Sequence, residues 1–262
     1  MVRIVAASVI LTASNMVRVP LHQVPIAKRE DAVGIGANAA FFLLTPFAVV
    51  FMLWAWMRFV ERRNLRAIGL FDISKILPGI LGGTAVVAVP MAVGWVFLSV
   101  LSEPVAQQDA DPSTASVGVI VAGVVFVLVR SYLLQGIPEE LIYRGWLFST
   151  TAERPVFTVV WTTLAFTVPH LSSSGGQQST TDFLLYLVLP LGMAVLAGAV
   201  VVWKKSVWWA AGTHGGMHAV MAALGGLVPV ALDSKAWIIL GVTQLVTGFA
   251  LLAWWHSRKK RP

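Results

Sequence analysis

An all-α, polytopic membrane bundle of seven or eight transmembrane helices is the fold this sequence predicts, and three observations predict it. Charged residues make up 12% of the 262 positions and hydrophobic residues 57%, against about 25% charged in soluble domains. Mean hydropathy is +0.80. The apolar residues come in runs longer than the roughly 20 positions a spanning helix needs, whereas strands of a membrane β-barrel alternate over about ten. The remaining charges sit at the ends of those runs, where orientation signals sit.

Taken in chain order, Ile4–Val17 is short and carries Ser14 and Asn15. It reads as a poor first span, an interfacial helix or a signal-peptide core. The segments Val33–Val60, Ile76–Leu101, Val117–Ile137, Val156–Leu171, Phe183–Trp203, Val207–Val228 and Ala236–Trp255 are the seven clear candidates. Val117 to Thr151 is too long for one straight span, so a tilt or a break near Gly136–Pro138 is expected. There is no internal repeat and no long linker, which makes residues 1–262 a single membrane domain.

Basic residues give the orientation. Arg58, Arg62, Arg63, Arg66 and Lys75 flank one loop, Arg144 and Arg154 a second, and Lys204 and Lys205 a third; Arg258, Lys259, Lys260 and Arg261 form the tail. They alternate with the acidic or neutral loops Glu103–Asp111, Ser172–Asp182 and Asp233–Lys235. The positive-inside rule makes the basic side, and with it the C-terminus, cytoplasmic; Arg3 joins it if the first helix spans. The net charge of +7 is therefore an orientation signal facing the lipid bilayer, not a nucleic-acid surface. Trp208, Trp209, Trp254 and Trp255 lie beside basic loops as interfacial residues do. With no cysteine in the chain, thiolate catalysis and cysteine metal sites are excluded, so a metal would need His, Glu or Asp.

Ionisable residues inside spans are costly and mark candidate sites. Glu139 and Glu140 follow Val117–Ile137, with Arg144 four positions on; His170 ends the next span, and His214 and His218 lie within Val207–Val228. At about 1.5 Å per residue, Glu139 and His170 both lie roughly 20–25 Å from the turn at Glu153–Arg154, and His214 and His218 roughly 13 and 20 Å past Lys205. A carboxylate and three imidazoles thus reach similar depth on three helices. Glu140 and Arg144 form an i,i+4 pair in the favourable order, which leaves Glu139 as the freer carboxylate. His214 and His218 share a helical face, and Gly215 and Gly216 between them let a neighbouring backbone approach. Arg130, within a span, is expected to snorkel or to pair structurally, and His22 and His256 to be interfacial.

The order Glu139-Glu140-x-x-x-Arg144, Phe166-x-x-x-His170, His214-x-x-x-His218 on successive membrane segments resembles the CaaX-protease and bacteriocin-processing (CPBP, or Abi) family of intramembrane proteases. The resemblance covers about Arg62 to Val228, the core of the domain. It implies an all-helical bundle of about eight spans. It also implies that Glu139 activates water as a general base, that His170 helps hold that water, and that His214 binds the developing oxyanion. Glu140, Arg144 and Phe166 match supporting positions. The chain departs from the family at His218, where Asn is common.

These residues point to an endopeptidase that hydrolyses a peptide bond of a membrane-associated peptide, prenylated or bacteriocin-like, at the cytoplasmic side. No cofactor is favoured. A zinc-dependent version would use Glu139, His170, His214 and His218 as ligands. Outside hydrolysis stand a non-catalytic membrane scaffold or bacteriocin-immunity protein, and a transporter or proton relay.

Overall fold

The computed structural model describes residues 1–102, 116–173 and 175–259. The loop Glu103–Asp111 and the tail residues Lys260 and Arg261 named above lie outside them. Among the described residues the chain is helical and no strand occurs. In lipid this follows directly, because a helix satisfies every backbone donor and acceptor within its own segment.

The helices run α1 (Val2–Met16), α2 (Ala32–Phe42), α3 (Leu44–Ala55), α4 (Ile76–Leu101), α5 (Val117–Val129), α6 (Ile137–Glu140), α7 (Pro155–Thr167), α8 (Thr180–Tyr186), α9 (Val188–Lys204), α10 (Val207–Leu227) and α11 (Ser234–Lys259). Among the described residues six stretches are long and apolar enough to cross a membrane: Val2–Gln23, Ala32–Val60, Leu65–Leu101, Val117–Thr150, Thr180–Lys204 and Ser234–Lys259. The chain is an integral membrane protein. The first helix, left open by its sequence, is one of these six. The other two expected segments are the helices α7 and α10, which carry His170, His214 and His218. Histidine, glycine and threonine dilute the apolar run where the ionisable residues are placed.

No break occurs near Gly136–Pro138. The helix continues from Val117 to Thr150 and instead widens to π-helix over Arg130–Gly136 and Leu141–Leu147, on either side of the short α6. The reason is Pro138, which lacks an N–H and whose ring would collide with the carbonyl four residues earlier in an α-helix. Shifting to the wider π spacing relieves that collision without interrupting the helix.

Small residues set the packing around α10, which lies most extensively against α4. A Cβ at Gly216 would stand 2.7 Å from Thr84 Cα, so only glycine permits the two backbones to approach this closely. On the other side of α10, a Cβ at Gly136 would stand 2.7 Å from the Gly215 nitrogen and 2.9 Å from the Ala211 carbonyl oxygen. Thr84 ties the three elements together: its Oγ1 lies 2.7 Å from the Tyr132 hydroxyl and 3.2 Å from the Gly212 carbonyl oxygen of α10.

The two ends of the bundle are distinct. At one end the Arg3 guanidinium donates to Glu61 (2.7 Å), Arg63 to Ser149 (2.9 Å) and Trp208 to Gly69 O (3.2 Å). Lys204 lies over the rings of Trp203 and Trp209, and Arg258 over Trp254. The basic loops and their tryptophans therefore gather on one face. At the other end Trp95 donates to Val228 O (2.9 Å), and the rings of Tyr186 and Trp237 meet at 5.4 Å. Arg144 belongs to neither face: its side chain is fully buried. It is not the loop-flanking charge that its count among the orientation signals suggested.

Candidate active site

Phe166, buried on α7, stands at the centre of the ionisable cluster. Its ring meets those of Tyr143 (5.1 Å), His170 (4.6 Å) and His214 (5.6 Å), and the Arg144 guanidinium lies 4.7 Å over its face. His214 in turn lies 5.4 Å from His218. The common depth expected from counting residues is thus realised as side-chain contact among three helices.

Glu140 and Arg144 form their i,i+4 pair at 3.3 Å, both side chains fully buried. Arg144 also donates to Ala194 O of α9 at 2.8 Å. One link was not visible in the sequence: the same Glu140 Oε1 accepts from His214 Nδ1 at 3.0 Å, across 74 positions. Glu140 thereby joins α6 to α10 as well as to Arg144. Glu140 Oε2 accepts no hydrogen bond, and its neighbour Glu139 differs in making none at either oxygen among the described residues. Glu139 Oε2 is buried with no hydrogen-bond partner among the described residues, and His214, Glu140 and Arg144 all lie within Coulombic range of it.

These partners fix the imidazole tautomers. A carbonyl oxygen can only accept, so His170 donates from Nδ1 to Phe166 O, at 2.8 Å, and a neutral ring then offers a lone pair at Nε2. His214 likewise spends its Nδ1–H on the Glu140 carboxylate and in the neutral form offers only an acceptor at Nε2. His218 has no hydrogen bond to either nitrogen among the described residues, so it can present one N–H and one lone pair.

Among the described residues no group of three or more His, Asp or Glu side chains is placed to share a metal ion. The Nδ1 atoms of His170 and His214 are engaged by the Phe166 carbonyl and the Glu140 carboxylate, which leaves Nε2 as the open ring position on each.

A cavity of about 510 Å³ adjoins the cluster, lined among others by Arg130, Ser131, Gln135, Tyr186 and His218. Tyr186 connects the two, lining this cavity while lying within Coulombic range of Glu139. Arg130 lines the cavity, is exposed, and makes no ion pair with any described residue, so the structural pairing that was one of its two expected roles does not occur among them. His22, by contrast, is held between Arg18 and Asn38, each at 2.9 Å.

The stretch that carries Glu139, Glu140, Arg144, Phe166, His170, His214 and His218 also matches a known family. Residues 115–220 match the Rce1-like family. The family's description is type II CAAX prenyl endopeptidase Rce1-like, and the match agrees with the resemblance drawn from the motifs. It starts later and ends slightly earlier than the Arg62–Val228 core expected from the sequence. Comparison with curated proteins and with solved structures finds no match.

Proposed function

We propose that this protein is an intramembrane endopeptidase in which Glu139 activates a water for attack on a peptide bond of a membrane-associated peptide. The observation that carries the reading is the contrast between two adjacent carboxylates in the family-matched segment. Glu140 is held through Oε1 by both Arg144 and His214, with only its Oε2 unpartnered, while Glu139 makes no side-chain hydrogen bond among the described residues and presents a buried, unpartnered Oε2 beside the histidine cluster. An oxygen in that position can take a proton from water without breaking a structural bond.

The remaining groups fall into order around it. Water between Glu139 and His170 donates one hydrogen to the carboxylate and the other to the His170 Nε2 lone pair, which aims the oxygen lone pair at the scissile carbonyl. As that carbonyl becomes tetrahedral, its oxygen needs a donor. The family resemblance assigns this to His214, yet a neutral His214 has given its only N–H to Glu140. His218 is the neutral imidazole with an N–H still to give, and His214 can join it only as an imidazolium with Glu140 as counter-ion. On this reading the histidine in place of the family's usual Asn retains the donor. The proton held by Glu139 then passes to the leaving amine.

No step uses a metal. The gathering of basic loops on one face supports a cytoplasmic placement of that face and of the C-terminus. The test is Glu139→Gln, assayed against membrane peptides that include prenylated and bacteriocin-like sequences. Turnover should fall by about 10²–10⁴; undiminished cleavage overturns the mechanism. Full function in cells of a Glu139→Gln, His170→Ala double variant would point to the scaffold or immunity role.

A further inference from the structure

The cavity beside His218 has a definite position along the membrane normal. Its lining residue on α4 is Trp95, near the Leu101 end; on α11 it is Trp237 and Leu240, near the Ser234 start; on α10 it runs from His218 toward Gly225. Gly175 and the connection Pro229–Leu232 complete its mouth. Each of these lies in the half of its helix remote from the basic end, or in a loop of the opposite face. The opening is therefore on the side away from Arg63, Arg154, Lys204 and Arg258.

The wall of this cavity carries an uncompensated cation. Arg130 is exposed to it and has no acidic partner among the described residues, while Arg18 lies within Coulombic range and adds to the positive potential. A guanidinium within a membrane span and without an acidic partner favours an anionic ligand. Ser131 and Gln135, on the same stretch of helix, supply neutral polar groups at the same wall. A carboxylate matches the planar fork of a guanidinium. The volume of about 510 Å³ lies in the range of pockets that enclose small-molecule-sized ligands, enough for a few residues of extended chain.

We propose that this cavity is the substrate-binding site, entered from the membrane face opposite the basic loops, and that Arg130 holds a carboxylate of the entering peptide. The inference rests on the hydrolase reading above and departs from the cytoplasmic-side cleavage expected from the sequence. It makes the substrate a peptide segment exposed at the extracytoplasmic face.

The absence of cysteine allows a direct test. Ala222 lines the cavity one helical turn beyond His218, and Arg154 lies in an exposed turn at the basic end. Single variants Ala222→Cys and Arg154→Cys are treated with a membrane-impermeant maleimide, in intact cells and in inside-out vesicles. Ala222→Cys should label from the cell exterior and Arg154→Cys only in inverted vesicles. Labelling of Ala222→Cys from the interior alone, or from neither side, overturns the proposal.

The anion is tested on the purified Ala222→Cys protein by protection from labelling, which needs no turnover. Three matched peptides are used: one with a free C-terminus, one amidated, and one amidated with an internal Asp. Protection by a carboxylate peptide should exceed that by the plain amide at least tenfold in concentration, and Arg130→Gln should abolish the difference while Arg130→Lys keeps part of it. The two carboxylate peptides distinguish a terminal from a side-chain group. Equal protection by all three, or protection by anionic lipid vesicles alone, overturns the carboxylate. Because labelling is independent of cleavage, loss of activity in Glu139→Gln with protection intact leaves this proposal standing. Protection without any wild-type cleavage would instead sink the hydrolase reading.

Discussion

Glu139 and Glu140 are neighbours with opposite expected behaviour on substitution. Glu140→Ala leaves the Arg144 guanidinium without its counter-ion in a fully buried position and strips His214 of its acceptor. Removing one partner of a buried pair costs about 3–5 kcal/mol. Arg144 keeps the Ala194 carbonyl at 2.8 Å and the face of Phe166, so the lower end, about 3 kcal/mol, is expected. Glu139→Gln removes a charge that makes no hydrogen bond at Oε2 and should leave stability within about 1 kcal/mol while turnover is lost. Reversible unfolding in mixed micelles gives the stabilities, and a peptide-cleavage assay gives the rates. Adding Arg144→Met to Glu140→Ala removes the stranded cation and should recover at least about 2 kcal/mol. A cost below about 1 kcal/mol for Glu140→Ala, or an equal loss of stability in Glu139→Gln, would refute the division of roles.

Other expectations follow from the same contacts. Gly136→Ala drives a Cβ into the Gly215 and Ala211 backbone and should cost about 1–3 kcal/mol, whereas Gly123→Ala meets nothing within 4 Å and should be neutral or slightly stabilising; similar melting temperatures for the two would contradict the packing. Glu61, just outside the third helix, is pushed up by burial, but hydrogen bonds from Arg3, Trp146 and Trp56 outweigh this and hold it below the usual carboxylate range. Its contribution is therefore present above the usual carboxylate range and lost as pH falls through the lower folded value. Glu61→Gln should flatten that acid limb in thermal melts, and an unchanged limb would count against the network. Peptide cleavage by the purified protein should persist after prolonged dialysis against a chelator; activity lost with the chelator and restored by added zinc would reverse the preference for glutamate alone.

Much of the architecture was legible because a bilayer restricts the choices. A run of apolar residues there must be a helix, so Ile76–Leu101 could be bounded to the residue from sequence. Glu139, Glu140 and Arg144 stood out for the complementary reason, since charges are too costly within lipid to be scattered there without use. The same reasoning misread Arg144 as an orientation signal, because a count of basic residues does not distinguish a guanidinium at an interface from one with a buried counter-ion. Of the tilt or break it expected near Gly136–Pro138, the break does not occur, because local π-widening answers the same steric conflict with a continuous helix.

By itself the sequence determined that the chain is a helical membrane protein, where its helices lie, which end carries positive charge, and which few ionisable residues stand at a common depth. These are properties of composition and of distance along a helix axis. Only the tertiary structure decided that Glu140 and not Glu139 receives His214, that Phe166 stands among the histidines, and that Arg130 faces a cavity at the end away from the basic loops. Those depend on how helices are rotated and packed against one another. Glycine contacts between backbones far apart in the chain set that rotation, and no periodicity within a single segment records it.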